Sequence, residues 1–96
     1  MKKSNEQSLG AAIREFLKNF NLEEKVIETR VSSSWEKVMG RNIARYTEKI
    51  VLKNKILTVY LHSSVLRNEL SMAKTKIKDM LNKEAGQEVI KEIIFR

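Results

Sequence analysis

The chain has 96 residues, of which 42% are hydrophobic and 32% charged, and this balance is typical of one globular domain. It contains no cysteine and one histidine, His62, which excludes a disulfide framework, a thiolate nucleophile and a cysteine zinc site. No apolar run approaches the ~20 residues of a membrane-spanning helix, and no apolar stretch follows the basic N-terminus as in a signal peptide. We expect a cytoplasmic protein without metal or cofactor that forms a single domain over residues 1–96.

The net charge of +7 is concentrated in the middle of the chain. Residues 41–83 carry ten Lys or Arg and three Asp or Glu, whereas residues 1–40 have a net charge of +1 and residues 84–96 of −1. Charge that served solubility alone would be spread evenly, so this localisation favours a polyanionic partner. The alternative is a solvated face of ordinary lysines.

Two helices are predicted in the first 40 residues. Ser4 and Gln7 form a capping box ahead of apolar residues at helical spacing, which predicts a helix over residues 5–19. Asn21 and Glu24 repeat the pattern, and a looser second helix is expected to end at the next glycine. The first stripe comprises Leu9, Ile13, Phe16 and Phe20, and the second comprises Leu22, Val26, Val31, Trp35 and Val38.

The apolar period changes to two from Tyr46 onward, which indicates β-strands. Asn54 lies in the centre of the turn Lys53-Asn54-Lys55, where its tolerance of positive φ suits a tight hairpin. In the second strand, three aliphatic residues alternate with residues that include Tyr60 and His62. Those three are Leu57, Val59 and Leu61.

A third helix and a third strand complete the predicted fold. Ser63 or Ser64 caps a helix that ends at Gly86, and its apolar stripe is the most regular in the chain. The closing EVIKEIIFR, residues 88–96, is rich in β-branched residues and predicts a strand. The order α-α-β-β-α-β predicts an α+β two-layer sandwich with a three-stranded sheet. The stripe of the third helix comprises Leu66, Leu70, Ala73, Ile77, Met80 and Leu81.

The central basic residues form the candidate nucleic-acid site. Neutralised phosphates release condensed counterions, so a localised set of cations favours binding to nucleic acid. Three of the cations fall on one stripe of the third predicted helix, two share a parity on the first strand, and two lie just upstream of it. In that order they are Arg67, Lys74 and Lys78; Lys49 and Lys53; and Arg41 and Arg45.

Two aromatic residues have competing interpretations. Tyr60 should face away from the helices, with Lys49 and Lys53 as neighbours, where it either stacks an unpaired base or covers sheet surface through cross-strand contacts. Trp35 lies on the apolar stripe of the second helix, and its position favours a core residue over a working aromatic. A buried Trp35 would hold the helix end that presents Arg41 and Arg45.

Constellations typical of catalysis are missing from the sequence. Gly10, Gly40 and Gly86 are too far apart for a phosphate-binding loop. His62 has no marked acid beside it, so a hydrolytic triad is not expected. We expect a non-enzymatic protein without a small-molecule substrate.

Four segments of the chain, taken together, resemble the DciA family of bacteria. They are WEKVMG from Trp35, IARYT from Ile43, LTVYLHSSVLRNEL from Leu57 and the closing EVIKEIIFR. The resemblance implies a KH-like α+β domain that loads or operates the replicative DNA helicase and contacts DNA. It assigns structural positions to Trp35, Gly40, Leu57, Ser64, Glu69 and Leu70.

Two features common in relatives or in KH domains are missing from this sequence. The long basic C-terminal tail of many family members is not expected, and the GxxG loop with which true KH domains clamp a nucleic-acid backbone is lacking. The leading hypothesis is a nucleoid-associated replication accessory protein that binds single-stranded or forked DNA and the replicative helicase, assisting helicase loading. The alternatives are an RNA-binding KH-like module and a protein–protein adaptor that does not bind nucleic acid.

Overall fold

The computed structural model describes residues 2–19 and 22–96, with side chains at residues 8–16 and 22–96. Within these ranges it has five helices and three strands, and the predicted α+β arrangement is confirmed. The helices are α1 (Lys2–Asn19), α2 (Leu22–Met39), α3 (Arg41–Arg45), α4 (Ser64–Ser71) and α5 (Lys74–Ala85). The strands are β1 (Thr47–Lys53), β2 (Ile56–Leu61) and β3 (Glu92–Phe95).

The sheet has the order β1-β2-β3, with β1 antiparallel and β3 parallel to the central strand β2. Its inner face meets the helices, because the alternate β2 residues Leu57, Val59 and Leu61 are all buried, as predicted. A single cluster of buried side chains fills the space between the two layers. It comprises Val31, Trp35, Leu52, Leu57, Val59, Leu61, Leu70, Ile77, Leu81, Val89, Ile90, Ile93 and Phe95.

The predicted hairpin turn is confirmed. Asn54 and Lys55 have φ angles of 53° and 63°, which suit a two-residue turn that follows the twist of the strands. Helix α2 supports this hairpin through two carboxylates. Glu28 Oε2 accepts a hydrogen bond of 2.7 Å from the Leu52 N–H, and Glu24 Oε2 accepts one of 3.3 Å from the Lys55 N–H. The first bond satisfies a backbone N–H of the edge strand β1, and the second satisfies one in the hairpin turn.

The third predicted helix is two helices, so the prediction of one continuous element was wrong. Of the two predicted capping residues, Ser63 caps α4, its hydroxyl accepting a 3.1 Å hydrogen bond from the Leu66 N–H. The chain then tightens at Met72 and Ala73, whose N–H groups bond three residues back. Helix α4 packs on β2 and β3, whereas α5 packs on α2 and β3. The break lets the segment cover both surfaces. Helix α5 then ends at Gly86, which has the left-handed conformation with φ 77°.

The last strand is shorter than predicted and begins at Glu92 rather than at residue 88. The reason lies in Asn82 on α5. Its Oδ1 accepts hydrogen bonds from the N–H groups of Val89 and Ile90, and its Nδ2 donates to the Ile90 carbonyl, each at 2.9 Å. A side chain therefore satisfies backbone groups that a neighbouring strand would otherwise pair.

Helix α1 differs most from the expectation. It begins at Lys2, so Ser4 lies inside the helix and the predicted capping box is wrong, because good helix formers extend the helix upstream. The cap predicted at Asn21 and the stripe residue Phe20 lie outside the described residues. Every described side chain of α1, at residues 8–16, is exposed.

The exposure of α1 is reflected in the dimensions of the molecule. The radius of gyration is 16.0 Å, against roughly 12–13 Å for a compact domain of this length. On α2, Leu22 and Val26 are also exposed, so the second stripe becomes core only from Val31 onward. None of the helices in the described part of the chain is long and apolar enough to cross a membrane.

Candidate nucleic-acid interface

The outer face of the sheet, on the side away from the helices, carries three rows of side chains. Each row takes one residue from β1, one from β2 and one from β3 or, in the case of Arg96, from the position directly after β3, and none of the nine residues is buried. The middle row is largely apolar, and the two outer rows carry the charges. The rows are Lys49, Tyr60 and Arg96; Val51, Thr58 and Ile94; and Lys53, Ile56 and Glu92.

The first of these rows, which we call the basic row, places Tyr60 between two cations. Lys49 lies opposite Tyr60 in the antiparallel β1–β2 pair. Arg96 lies opposite Tyr60 on the other side, because its N–H donates to the Val59 carbonyl at 2.9 Å and its carbonyl accepts from the Leu61 N–H at 2.7 Å. Neighbouring strands are about 4.8 Å apart, so all three side chains share one small patch.

Lys49 makes direct contact with the Tyr60 ring. Its Nζ lies over the ring, 4.7 Å from the centroid, which is a cation–π geometry. Tyr60 is half-buried on the outer face, where the alternation of β2 predicted it. The expectation that Lys53 would be its second neighbour is wrong. Lys53 pairs with Ile56, four residues along β2 from Tyr60, a distance of roughly 13 Å.

Charge on the outer face is polarised along the strands. The basic row contains two cations and no acid, whereas the third row pairs the charge of Lys53 with that of Glu92. Helix α3 joins β1 at the end that carries the basic row, and its Arg41 and Arg45 are both exposed. Four cations, Lys49, Arg96, Arg41 and Arg45, therefore lie toward the end of the sheet where β1 begins and β2 and β3 end, together with the exposed acid Glu48.

Trp35 holds α3 in place, and the prediction that it is a core residue is confirmed. It is 2% exposed, and its ring lies 6.4 Å from that of Phe95, centroid to centroid. Its Nε1–H donates to the Thr47 hydroxyl at 2.9 Å, and that hydroxyl donates to the Ile43 carbonyl on α3 at 2.8 Å. Gly40, with φ 94°, makes the turn from α2 into α3. This relay fixes the short helix that carries Arg41 and Arg45.

The remaining basic residues do not form the single stripe that was predicted, because α4 and α5 are separate helices. Arg67, on α4, is half-buried and its Nη2 donates to the Leu61 carbonyl at 3.2 Å, which ties it to the end of β2. Its buried Nε has no hydrogen-bond partner among the described residues. On α5, Lys74 is exposed, whereas the side chain of Lys78 is only 27% exposed and lies 4.0 Å from Asp79.

Arg96 is the residue of this surface that sequence reasoning missed. Its parity with Ile94 within the last strand places both on one face, but that signal has no use until the neighbour of β3 is known. The parallel pairing with β2 brings Arg96 beside Tyr60.

The described side chains include no cluster of three or more His, Cys, Asp or Glu that could hold a metal ion. Grooves lie elsewhere on the molecule. One of about 390 Å³ separates α2 from α5 and the residues after it, and it is lined by Val31, Lys37 and Glu84 among others. Within this groove Lys37 Nζ forms an ion pair with Glu84 Oε1, so both charged groups of the pair are engaged with each other. The arrangement of the outer face suits binding through charge and stacking.

The chain matches a known protein family over most of its length. Residues 8–95 match the family described as "Dna[CI] antecedent, DciA", which covers nearly the whole chain. No curated protein matches the chain.

Proposed function

The chain belongs to the DciA family, which is linked to helicase loading in DNA replication, and from this premise we propose that it binds single-stranded or forked DNA and the replicative helicase. The family is one of replication accessory proteins rather than of catalysts. We place the DNA contact on the basic row, with Arg41 and Arg45 extending it. The protein would act without a cofactor by holding unpaired DNA beside the helicase.

The observation that carries this proposal is Tyr60 between Lys49 and Arg96 on an uncovered sheet face. A single strand offers the two features that this patch matches: phosphates for the cations and unpaired base faces for the ring. The half-buried apolar residues of the next row, Val51 and Ile94, give a neighbouring base an apolar surface. The aromatic ring thus favours single strands over a purely electrostatic interface.

Substitution of Tyr60 tests the stacking contact. A stacked base contributes roughly 1–3 kcal/mol by alanine substitution, so Tyr60→Ala should weaken single-strand binding about 5- to 150-fold. Tyr60→Phe keeps the ring and should retain most of the affinity. Duplex DNA should respond little, since its bases are already stacked. The measurement is fluorescence anisotropy with labelled single-stranded and duplex oligonucleotides at one fixed salt concentration.

Equal losses on single strands and duplex, or no loss on either, would remove Tyr60 from the site and leave the cations alone. Matched RNA oligonucleotides distinguish the alternative of an RNA-binding module, which requires RNA to bind as tightly as DNA or more tightly. Failure to bind any nucleic acid at low salt would favour an adaptor whose basic face meets an acidic protein.

The contact with the helicase requires a separate experiment. A pull-down with the purified replicative helicase should retain the wild-type chain after nuclease treatment. Tyr60→Ala should be retained equally well, because the proposal assigns Tyr60 to DNA. Retention that disappears with the nuclease would mean that DNA bridges the two proteins, which would contradict direct binding to the helicase.

A further inference from the structure

The cation–π contact covers one face of the Tyr60 ring, a face on which a base could otherwise stack. Lys49 Nζ lies over the Tyr60 ring, so a base cannot stack on that face until the ammonium group moves away. At exposed sites a cation–π contact changes an equilibrium constant by roughly 2- to 5-fold, whereas a stacked base changes it by roughly 5- to 150-fold. A base can therefore displace Lys49.

Among the described side chains, no ion pair holds the Lys49 ammonium group. These ion pairs do not involve Arg96 either. Lys49 is exposed at the start of an edge strand, and its flexible side chain can turn from the ring to solvent. Arg96 stands on the opposite side of Tyr60 and does not need to move.

We propose that Lys49 exchanges partners when a single strand binds: its ammonium group leaves the Tyr60 ring for a phosphate, and a base takes the vacated face. Arg96 contacts the phosphate on the other side of the stacked nucleotide. This inference rests on the proposed function and adds a mechanism to it. Lys49 covers the ring in the free protein and becomes a phosphate ligand in the complex.

Partner exchange gives Lys49 two opposing effects on affinity. As a phosphate ligand it strengthens binding, by an amount that falls as salt rises, with a slope of about 0.7 log units per tenfold increase in salt for a single strand. As a cover on the ring it weakens binding, because a base must first displace it. Removing the ammonium group should therefore weaken binding at low salt and strengthen it at high salt.

The test compares Lys49→Met with Lys53→Met on a labelled single-stranded oligo(dT), by anisotropy between 50 and 500 mM salt, values chosen to span roughly a tenfold range. Lys49→Met should bind about 2- to 3-fold more weakly than wild type at the low end and about 2-fold more tightly at the high end. The two binding curves should cross. Lys53 is on the same strand and face but has no aromatic neighbour, so Lys53→Met should lose affinity or show no change, without a crossing.

Repeating the Lys49→Met comparison in a Tyr60→Ala variant tests whether the crossing depends on the aromatic ring. In Tyr60→Ala, where there is no face to uncover, Lys49→Met should no longer gain affinity at high salt. A Lys49→Met curve that converges on wild type without crossing, as for Lys53→Met, would overturn the exchange. If Tyr60→Ala still loses single-strand affinity in that case, the proposed function stands and only this inference fails. If the wild-type chain binds no oligo(dT) at 50 mM salt, both fail.

Discussion

The helices α1 and α5 have apolar stripes of the same period, but the stripe of α5 is buried and that of α1 is exposed. In α5, Ile77 and Leu81 are buried, whereas in α1 the residues Leu9, Ile13 and Phe16 are all exposed. Hydrophobic period specifies which face of a helix is apolar, but it does not specify what covers that face. Helix α5 packs on both α2 and β3, whereas α1 contacts α2 but contributes no residue to the core cluster. The stabilising core is therefore one compact region, and α1 lies outside it.

The largest expected effect belongs to the buried side of this comparison. Trp35→Ala removes a large ring from the centre of the core and should lower the free energy of unfolding by roughly 3–5 kcal/mol. A domain of this size has few kcal/mol to spare, so partial unfolding at room temperature is expected. Chemical denaturation monitored by circular dichroism measures the change. A variant with wild-type stability but impaired DNA binding would show that Trp35 serves the site directly.

A matched pair of leucine substitutions, one on each helix, compares how much the two apolar stripes contribute to stability. Leu81→Ala should lower the free energy of unfolding by roughly 2–5 kcal/mol, because it leaves a cavity in place of a side chain that is only 1% exposed. Leu9→Ala deletes the same atoms from a side chain that is 64% exposed and should change stability by less than about 0.5 kcal/mol. Urea unfolding of both variants gives the two values. Similar costs would mean that α1 packs against the body in solution.

The smallest expected effect comes from a polar substitution on the exposed stripe. Ile13→Gln should leave stability within about 0.5 kcal/mol of wild type, because glutamine is a good helix former and no core contact is lost. Thermal melts at two protein concentrations provide the measurement. A loss above 1 kcal/mol that grows with protein concentration would reveal that another copy of the chain covers this stripe.

Much of the fold was predictable because local signals and packing agree. The hairpin followed from strand alternation and from Asn54, and the start of α4 followed from the capping hydroxyl of Ser63. The break between α4 and α5 was not predictable, because the segment around Met72 has neither glycine nor proline. Two separate packing surfaces impose it. The late start of β3 depends on Asn82, whose hydrogen bonds involve residues seven and eight positions away.

In the candidate site, too, the positions that depend on local sequence were predictable and those that depend on long-range pairing were not. Parity within β2 was sufficient to place Tyr60 on the outer face, and the parity of β1 placed Lys49 there as well. The position of Arg96 needed the register of a parallel pair, which depends on a connection of about 30 residues rather than on a local turn. Arg67 shows the opposite failure. Its place on a helical stripe indicated a free cation, but its guanidinium group bonds to the Leu61 carbonyl.

The parallel pairing of β2 with β3 also constrains the order in which the domain can form. The β1–β2 hairpin joins residues close in sequence and can form early, whereas Leu57 meets Ile93, and Trp35 meets Phe95, only after most of the chain has been made. During synthesis, the edge of β2 that pairs with β3 has no partner until residue 95 has left the ribosome. The unpaired edge of β2 is thus exposed from the completion of the hairpin at Leu61 until Phe95 has been made, which is about the last third of translation. Unpaired strand edges of this kind make folding intermediates prone to aggregation.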